Sequence, residues 1–340
     1  MSSLIDTRYA KQILFRPIGP EGQEKIARST VAVVGVGALG TVISSHLARA
    51  GVGRLKLIDR DFVELSNLQR QILFDEHDAR SRTPKAVAAA EKLKAVNSEI
   101  EIEPVIADVT AANAEDLIRG ADVVLDGTDN LETRFLINDA AVKMNTPWVY
   151  GGALGSVGMT MTIVPHRTPC LRCFIAEAPP PGSLPSCDTE GVLSAATGTI
   201  ASIQSVEALK ILIGAEPRTT LLHIDVWDGD FIALQVERQE RCPACGDGNF
   251  EYLAGTGASW VTILCGRNAV QIVPPREVEI ALKDVEERLA RVGPVSFNGF
   301  LLSFEAEGKE LVLFPTGRAI IRGTTDETEA RALYARYVGV

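Results

Sequence analysis

The fold class of this chain follows from residues 31–40, which read VAVVGVGALG. The opening run of valine and alanine is typical of a strand buried on both faces of a parallel sheet. Gly35, Gly37 and Gly40 come next, at the spacing that lets a backbone turn sharply and approach a phosphate group. A helix is predicted over 38–50, and its first N–H groups would face that anion. The stretch therefore predicts a strand, a phosphate-binding turn and a helix.

The alternation of strand and helix continues through the first 150 residues. A second strand over 54–58 ends at Asp59, about 20 residues beyond the glycines, where an acidic side chain would bind ribose hydroxyls. Thr83 and Pro84 are predicted to cap and open a helix that runs to about residue 96. Further strands are predicted near 100–106, 122–126 and 147–150, with a helix near 131–144. The pattern predicts an α/β fold with a Rossmann-like, doubly wound and mainly parallel sheet.

The second half of the chain differs in composition. Residues 176–191 (AEAPPPGSLPSCDTEG) are rich in proline and are predicted to form a mobile connection. Beyond them, a helix is predicted over 193–213, strands near 220–226 and 231–236, and helices over 276–291 and 326–337. The sequence thus predicts a first domain over 1–248, with its C-terminal half tied down by the cysteines discussed below. A small α+β domain of unknown role is predicted over 250–340.

The composition excludes several classes of function. The chain has 340 residues, 46% of them hydrophobic and 23% charged, and a formal net charge of −10. Binding to nucleic acid or to an anionic membrane surface is therefore not expected. No apolar run approaches the roughly 20 residues of a membrane span, and the amino terminus lacks the pattern of a signal peptide. We expect a cytoplasmic protein whose cysteines are reduced or bind metal.

A cluster of polar residues follows the predicted ribose site directly, in the segment DRDFVELSNLQRQ over 59–71. A nicotinamide ring needs no such cluster, whereas the phosphates of a nucleoside triphosphate need cations and hydrogen-bond donors. Lys85, at a predicted helix start, would add a second cation to Arg70. The candidate nucleotide contacts here are Asp59, Asp61, Ser66, Asn67, Gln69, Arg70 and Lys85.

A second acidic turn, DGTDN over 126–130, ends a predicted strand at the carboxyl edge of the sheet. Doubly wound sheets bind ligands at this edge, and Asp129, with Asn130 beside it, would hold Mg²⁺ together with phosphate oxygens. The alternative is that Arg70 and Lys85 are solvated surface charges and Asp129 is a helix cap. The glycine turn alone favours an NAD-dependent oxidoreductase, and the polar cluster together with the acidic turn favours a triphosphate.

Two CxxC pairs predict a metal site. They consist of Cys170, Cys173, Cys242 and Cys245. Two such pairs in a reducing compartment are typical of a closed, structural Zn²⁺ site with four thiolate ligands. A redox role for one pair is the alternative, although thiol oxidoreductases place CxxC at a helix start in a small βαβ unit. The zinc would tie the segment after the prolines back onto the sheet.

At this point the sequence resembles a known family. The motifs RYAKQ (8–12), GVGALG, SNLQRQ, PKA (84–86) and LDGTDN are similar to those of the ThiF/MoeB superfamily of carrier-protein adenylyltransferases, which also contains the activating enzymes of ubiquitin. This resemblance covers about residues 8–248. The tail segments LCGRNAVQIVPP (264–275), FLLSF (300–304) and ALYARYVG (332–339) resemble the long ThiF-type proteins of Gram-positive bacteria.

The resemblance implies an adenylyltransferase that uses ATP and Mg²⁺. Its substrate would be the C-terminal carboxylate of a ubiquitin-like sulfur-carrier protein, ThiS-like or MoaD-like, that ends in Gly-Gly. The reaction would release pyrophosphate and serve thiamine thiazole or molybdopterin biosynthesis, and likeness over the whole chain favours the thiazole branch. The family also implies a homodimer. A non-catalytic carrier-binding scaffold of the same fold is a further alternative.

The resemblance also assigns roles by position. It places Gly35, Gly37, Ala38 and Gly40 at the phosphates, Asp59 at the ribose, Asn67, Arg70 and Lys85 at the triphosphate, and Asp129 at Mg²⁺. In the family an amino-terminal arginine reaches into the site of the other subunit; Lys11 occupies that position here, and Arg8 is the alternative. Cys187 matches a family cysteine linked to thioester or acyl-disulfide chemistry, and the alternative is an inert loop thiol. Asp188 and Glu190 would raise its pKa.

Overall fold

The computed structural model describes residues 8–177, 187–255, 261–264, 268–274 and 278–338, without the side chains of 188 and of 261–264. The predicted mobility of the proline-rich connection falls mostly on 178–186, and the predicted effect of Asp188 falls on its side chain, so both lie outside the described part. The chain divides into two compact units, Met1–Thr256 and Gly257–Val340.

The first unit alternates strands and helices. Its first half contains α1 (Ala10–Ile13), α2 (Gly19–Arg28), β1 (Thr30–Val34), α3 (Ala38–Ala50), β2 (Arg54–Ile58), α4 (Glu76–Arg80), α5 (Lys85–Val96), β3 (Glu101–Val105), α6 (Ala114–Ile118) and β4 (Val123–Asp126). Its second half contains α7 (Leu131–Lys143), β5 (Trp148–Leu154), β6 (Val157–Ile163), α8 (Leu171–Phe174), α9 (Cys187–Glu190), α10 (Ser194–Ile213), β7 (Leu221–Asp225) and β8 (Asp230–Leu234). No helix in the described part of the chain is long and apolar enough to cross a membrane.

The strands of this unit form one sheet in the order β3-β2-β1-β4-β5-β6-β7-β8. β1 pairs in parallel with β2 on one side and β4 on the other, and β3 and β5 extend the parallel part. The order of the strands reverses between β1 and β4. The carboxyl ends of these two strands therefore border the crevice in which doubly wound sheets bind their ligands.

From β5 onward the sheet is antiparallel. β5 and β6 are joined only by Gly155 and Ser156, and a two-residue connection cannot make the crossover that parallel strands require. The predicted Rossmann-like α/β fold is confirmed, and its sheet is mixed, with a parallel half and an antiparallel half.

The apolar run of β1 is buried on both faces, as predicted. Val31 and Val33 pack in a core with side chains of α3, α5 and α10. Ala32 and Val34 point the other way and pack with side chains of α6 and α7. Because alternate side chains of a strand face opposite sides, the continuous apolar sequence of β1 requires helices on both faces of the sheet.

Two local predictions are wrong. α5 begins at Lys85 rather than Pro84, and no side chain caps it, so Thr83 is not the cap. The reason is that Pro84 forms a β-bridge with Phe62, which keeps it extended. The segment Cys187–Glu190, predicted to be part of an irregular connection, forms the one-turn helix α9.

The last residues of the first unit pack against α7. The ring of Tyr252 stacks on Phe135 with centroids 4.5 Å apart, and its backbone N–H donates to Asp139 Oδ2 at 3.1 Å. The boundary that the sequence suggested, between 248 and 250, therefore falls within a segment that belongs to the first unit.

The second unit is a small α+β structure. It contains β9 (Val261–Leu264), β10 (Ala269–Ile272), α11 (Leu282–Leu289), β11 (Val295–Phe297), β12 (Leu302–Ala306), β13 (Lys309–Leu313), β14 (Ala319–Arg322) and α12 (Glu327–Tyr337). Its sheet has the order β11-β12-β13-β14-β10-β9 and is antiparallel. The helix predicted over 276–291 spans only Leu282–Leu289 among the described residues, since 278–281 are not helical and the N–H of Ile280 donates to the carbonyl of Pro315. Residues 276 and 277 lie outside the described part.

Candidate functional site

The glycine turn lies at the point where the strand order reverses. Gly35 has φ +87°, and a Cβ at Gly40 would lie 1.9 Å from the carbonyl oxygen of Gly35. Both glycines are therefore required by the packing of the turn itself. Gly37 differs, since a Cβ there would have no atom within 3.8 Å, and the nearest would be Gln71 Nε2. A Cβ at Gly37 would thus make only ordinary contacts, and no side chain caps the first N–H groups of α3, which begins at Ala38. This is the arrangement that an anion requires.

Asp59 is fixed beside this turn. Its Oδ2 accepts from the N–H of Val36 and its Oδ1 from the N–H of Asp61, each at 2.7 Å. Burial raises the pKa of Asp59, against the opposing effect of Lys85. The carboxylate thus lies between the phosphate turn and the polar segment, where a ribose would place its hydroxyls.

A buried lysine stands next to this carboxylate. Lys85 is only 5% exposed, its N–H donates to the carbonyl of Asp61 at 2.9 Å, and its Nζ lies 3.5 Å from Asp61 Oδ2. Among the residues that the structure describes, this long ion pair is the only polar contact of the ammonium group, which leaves it with spare donors. Lys85 is therefore not the solvated surface charge considered above, and the structure brings it together with Asp59 and Asp61.

Arg60 is a charged residue of this region that the sequence analysis did not single out. Its Nη1 lies 3.0 Å from both carboxylate oxygens of Asp108. Burial by itself would lower the pKa of Arg60. The negative charges of Asp108, Asp61 and Asp129 have the larger effect, so the pKa of Arg60 is raised. Asp129 is thus close enough to this arginine to act on its titration.

The segment SNLQRQ forms a 3₁₀ turn, Leu65–Asn67, and the loop after it. Asn67 is buried and its Oδ1 accepts from the N–H of Glu64 at 3.0 Å, while its amide nitrogen has no partner among the described residues. Arg70 is half-exposed and its Nη1 donates to the carbonyl of Ser66 at 2.9 Å. Ser66 and Gln69 are exposed. Ser66 thus contributes its carbonyl to hold Arg70, and ligand contacts of Asn67, Gln69 and Arg70 stay a prediction.

Gln71 is a second residue that sequence reasoning missed. It is 4% exposed, and its Oε1 has no hydrogen-bond partner in the described structure. Its Nε2 is the atom that flanks Gly37. The only signal in the sequence is its place directly after Arg70.

The acidic turn after β4 is held by a buried ion pair. Asp126 accepts at Oδ1 from the N–H and the hydroxyl of Thr128, and at Oδ2 from Arg134 Nε at 3.0 Å. Asn130 caps α7, since its Oδ1 accepts from the N–H of Thr133 at 2.9 Å. The cap is thus Asn130, which leaves the exposed carboxylate of Asp129 open at the crevice.

The two amino-terminal cations differ in their contacts. Arg8 Nη1 donates to the carbonyl of Val96 at 3.0 Å, and its Nε lies 3.7 Å from Glu99. Lys11 is exposed and forms no polar contact with any residue the structure describes. Arg8 is thus used to hold the carboxyl end of α5, whereas Lys11 is available to a ligand or another chain.

The four cysteines of the CxxC pairs meet in one cluster. Their sulfur atoms all lie within 4.8 Å of one another and all four residues are buried. The Cys170–Cys242 and Cys173–Cys245 sulfur distances are both 3.5 Å. Zn–S bonds of ~2.3 Å in a tetrahedron separate the sulfurs by ~3.8 Å. The cluster therefore has the size and the donor set to hold a metal ion with four thiolates.

Cys187 stands apart from this cluster. It opens α9, is half-buried, and its Sγ lies 3.5 Å from the carbonyl oxygen of Ala153 near the carboxyl end of β5. The thiol thus lies at the carboxyl edge of the sheet, on the same side as the glycine turn.

Comparison with known proteins agrees with this geometry. The model of the ThiF family matches residues 9–244. The sulfur carrier protein ThiS adenylyltransferase of Bacillus subtilis is 41% identical over 335 residues, which cover 98% of this chain and 99% of that protein. A sulfur carrier protein adenylyltransferase of Thermus thermophilus is 40% identical over 248 residues, 71% of this chain and 90% of that protein. The structure of E. coli MccB with ATP has the same fold (TM-score 0.63, 21% identity, 72% of this chain and 76% of that one). On the family match, the chain belongs to the ThiF family.

Proposed function

We propose that this chain adenylates the C-terminal carboxylate of a ubiquitin-like sulfur-carrier protein, with ATP as the donor and pyrophosphate as the product. The observation that carries the proposal is the convergence of the open glycine turn, Asp59, buried Lys85 and exposed Asp129 at one crevice of the sheet. The names of the relatives in Bacillus subtilis and Thermus thermophilus support the carrier as the substrate.

Adenylation of a carboxylate depends more on the alignment of the two substrates than on a general base. A terminal carboxylate has a pKa of about 3.5 and is already ionised near neutral pH, so it can attack the α-phosphate directly. The site must align the two anions and neutralise the charge that develops on the α-phosphate and on the departing pyrophosphate. Lys85 and Arg70 supply the cations, Asn67 a neutral donor, and Asp59 holds the ribose. Asp129 would hold Mg²⁺, which supplies charge neutralisation at the phosphates when bound.

The cysteine cluster is proposed to hold Zn²⁺. A closed set of four buried thiolates suits a structural zinc and leaves no open position for a substrate. Its four ligands come from α8 and from the loop after β8, which are far apart in sequence, so the ion would fasten both segments. We assign it no part in the reaction.

Lys11 is proposed as the cation that reaches the active site of a second subunit in a homodimer. The contacts of Arg8 with Val96 and Glu99 argue against the alternative. A lysine keeps the positive charge but lacks the planar guanidinium group of an arginine.

Cys187, near β5, is the candidate for a covalent step after adenylation, and the alternative is that its thiol is inert. A cytoplasmic location fits reduced cysteines.

The ThiS-like carrier of thiamine biosynthesis is the favoured partner. The Bacillus subtilis relative is matched over 99% of its length, so the likeness includes the second unit. Membership of the ThiF family decides against the NAD-dependent oxidoreductase considered from the glycine turn. A scaffold that binds carriers without turnover is the alternative that an activity measurement separates.

The test is ATP–pyrophosphate exchange with purified ThiS-like and MoaD-like carriers supplied separately. We expect exchange that depends on the carrier, is faster with the ThiS-like protein, and falls roughly 10²–10³-fold in Asp129→Ala. Asp116→Ala removes another exposed carboxylate, on α6 and paired only with Arg119, and serves as the matched control. Absence of exchange with both carriers, in a folded protein that binds ATP, would favour the scaffold.

A further inference from the structure

Arg134 is a buried cation whose hydrogen bonds are incomplete. It lies in the first turn of α7 and is 9% exposed. Its Nε donates to Asp126, and its Nη2 donates to the carbonyls of Thr128 at 2.7 Å and Gly151 at 2.9 Å. Its Nη1 has no partner among the described residues. A positive charge in the first turn of a helix is opposed by the helix dipole, so this arginine is placed there for specific contacts.

Tyr150 presents a second donor at the same place. Its ring packs in the core and lies 5.4 Å from the guanidinium carbon of Arg134. Its hydroxyl forms no hydrogen bond with any residue that the structure describes, although the residue is only 6% exposed. A tyrosine hydroxyl at the border of a core normally finds a partner. Burial raises the pKa of Tyr150, which keeps the hydroxyl protonated and able to donate.

Gly152 lies directly beside both side chains. A Cβ at this position would lie 3.1 Å from Tyr150 Oη and 3.4 Å from Arg134 Nη2. Gly152 has an ordinary backbone conformation, since it is not among the glycines with positive φ. The close approach of Tyr150 and Arg134, rather than the shape of the strand, therefore favours glycine here.

We propose that the corner formed by Arg134, Tyr150 and Gly152 binds the terminal carboxylate of the carrier tail before it attacks ATP. The inference rests on the function proposed above and names the place of the second substrate. The corner lies at the carboxyl end of β5, one strand spacing of about 4.8 Å from the end of β4. Arg134 is bonded to Thr128, the neighbour of Asp129, so one turn carries both the arginine and the proposed Mg²⁺ ligand.

The chemistry of the corner suits a carboxylate better than a phosphate. Asp126 already balances the charge of Arg134, so the corner offers two directed donors and little net charge. Such a site suits a planar monoanion with two oxygens, whereas the triphosphate needs further positive charge, which Arg70 and Lys85 supply.

The test compares two forms of one carrier, with the natural carboxylate and with a C-terminal carboxamide. Affinity is measured for full-length wild type and Tyr150→Phe in the presence of a non-hydrolysable ATP analogue. We expect Tyr150→Phe to weaken binding of the carboxylate form about tenfold, as for a hydrogen bond to a charged group, and to weaken the neutral carboxamide form clearly less. Gly152→Ala, whose methyl group would press on Tyr150 Oη and Arg134 Nη2, is expected to weaken the carboxylate form at least as much with no change in the KM for ATP. Tyr337→Phe, in the second unit, is the control.

Three results would overturn the inference: no loss in Tyr150→Phe, equal losses for both carrier forms, or a raised KM for ATP with unchanged carrier affinity, which would assign the corner to the nucleotide. Failure of the proposed function gives a different pattern, since the wild type itself would then show no carrier-dependent pyrophosphate exchange. A thermal melting curve for each variant separates misfolding from lost contacts.

Discussion

The nucleotide crevice and the cysteine cluster belong to the same unit and are built in opposite ways. In the crevice, Asp129 is exposed, the amino terminus of α3 has no side-chain cap, and Lys85 has a single long ion pair among the residues the structure describes. In the cluster, four thiols are buried against one another. A site that must admit and release substrates keeps polar groups incompletely satisfied, whereas a site that only fastens the chain is closed. The predictions below change one site or the other, from the largest expected effect to the smallest.

Loss of the cluster should cost the most stability. Apparent zinc-binding free energies at structural sites are about 10–16 kcal/mol, and removal of one ligand forfeits most of that. Cys170→Ser, or treatment of the wild type with a strong chelator, should abolish cooperative unfolding of this half of the unit. Elemental analysis should find one zinc per wild-type chain, and thermal melting should show the loss. Cys187→Ser is the control; equal melting of Cys170→Ser and wild type would contradict a structural metal.

Two glycines of the same turn should respond differently. In Gly40→Ala the new methyl group meets the carbonyl oxygen of Gly35 at 1.9 Å, so the backbone must move, at a cost of about 3 kcal/mol or more. In Gly37→Ala the methyl group makes only ordinary contacts, the nearest at 3.8 Å, so stability should change by less than about 1 kcal/mol while the KM for ATP rises. Urea unfolding and exchange kinetics measure the two effects. A fully active Gly37→Ala would place the phosphates elsewhere.

The buried carboxyl group of Asp139, on α7, should make the stability of the fold depend on pH. Burial raises the pKa of Asp139 to about 6, and the negative charge of Glu251 adds to this rise. Hydrogen bonds from the backbone of Tyr252 and the side chain of Asn138, together with the charge of Arg172, act in the opposite direction. Because the folded state holds this proton more tightly than the unfolded state, the ionised group destabilises the fold above pH 6, and this penalty disappears as the pH falls towards 4. Asp139→Asn should therefore stabilise the protein by on the order of 2 kcal/mol at pH 8.

The stability difference between Asp139→Asn and wild type should shrink between pH 6 and 4. Urea unfolding of both proteins at several pH values measures it, and the comparison cancels the protonation of groups that both share. A difference that does not change with pH would show that the residue acts through packing.

The smallest effect is expected at the cap of α7. Asn130→Ala removes the acceptor for the N–H of Thr133 and should cost about 1 kcal/mol. Asn130→Asp keeps the acceptor, removes the amide N–H₂ group, and should melt like the wild type. If both variants raise the KM for ATP alike, the amide nitrogen contacts the nucleotide in addition to the role of Asn130 as the cap. A change in melting without a change in KM would assign Asn130 to the cap alone.

The order of strands and helices could be predicted from local patterns because burial on both faces leaves a continuous apolar run, as in β1, and glycine spacing marks the phosphate turn. The cysteine cluster could be predicted because thiol pairs have few other uses in a reducing compartment. Gln71, Arg60 and Arg134 could not be found this way. Each acquires its role from partners distant in the chain or from a backbone that packs beside it, as Asp108 does for Arg60 and Gly151 for Arg134.

The sequence by itself determined the α/β class, the glycine turn, the acidic residue after β2 and the four metal-ligand candidates, since each depends on residues within a few positions of one another. Only the tertiary structure decided which charges remain available. It engages Arg8 and leaves Lys11 open, caps α7 with Asn130 and frees Asp129, and buries Lys85 beside Asp61. The physical reason is that hydrogen-bond satisfaction and burial are properties of the assembled surroundings, which bring together groups that no local pattern relates.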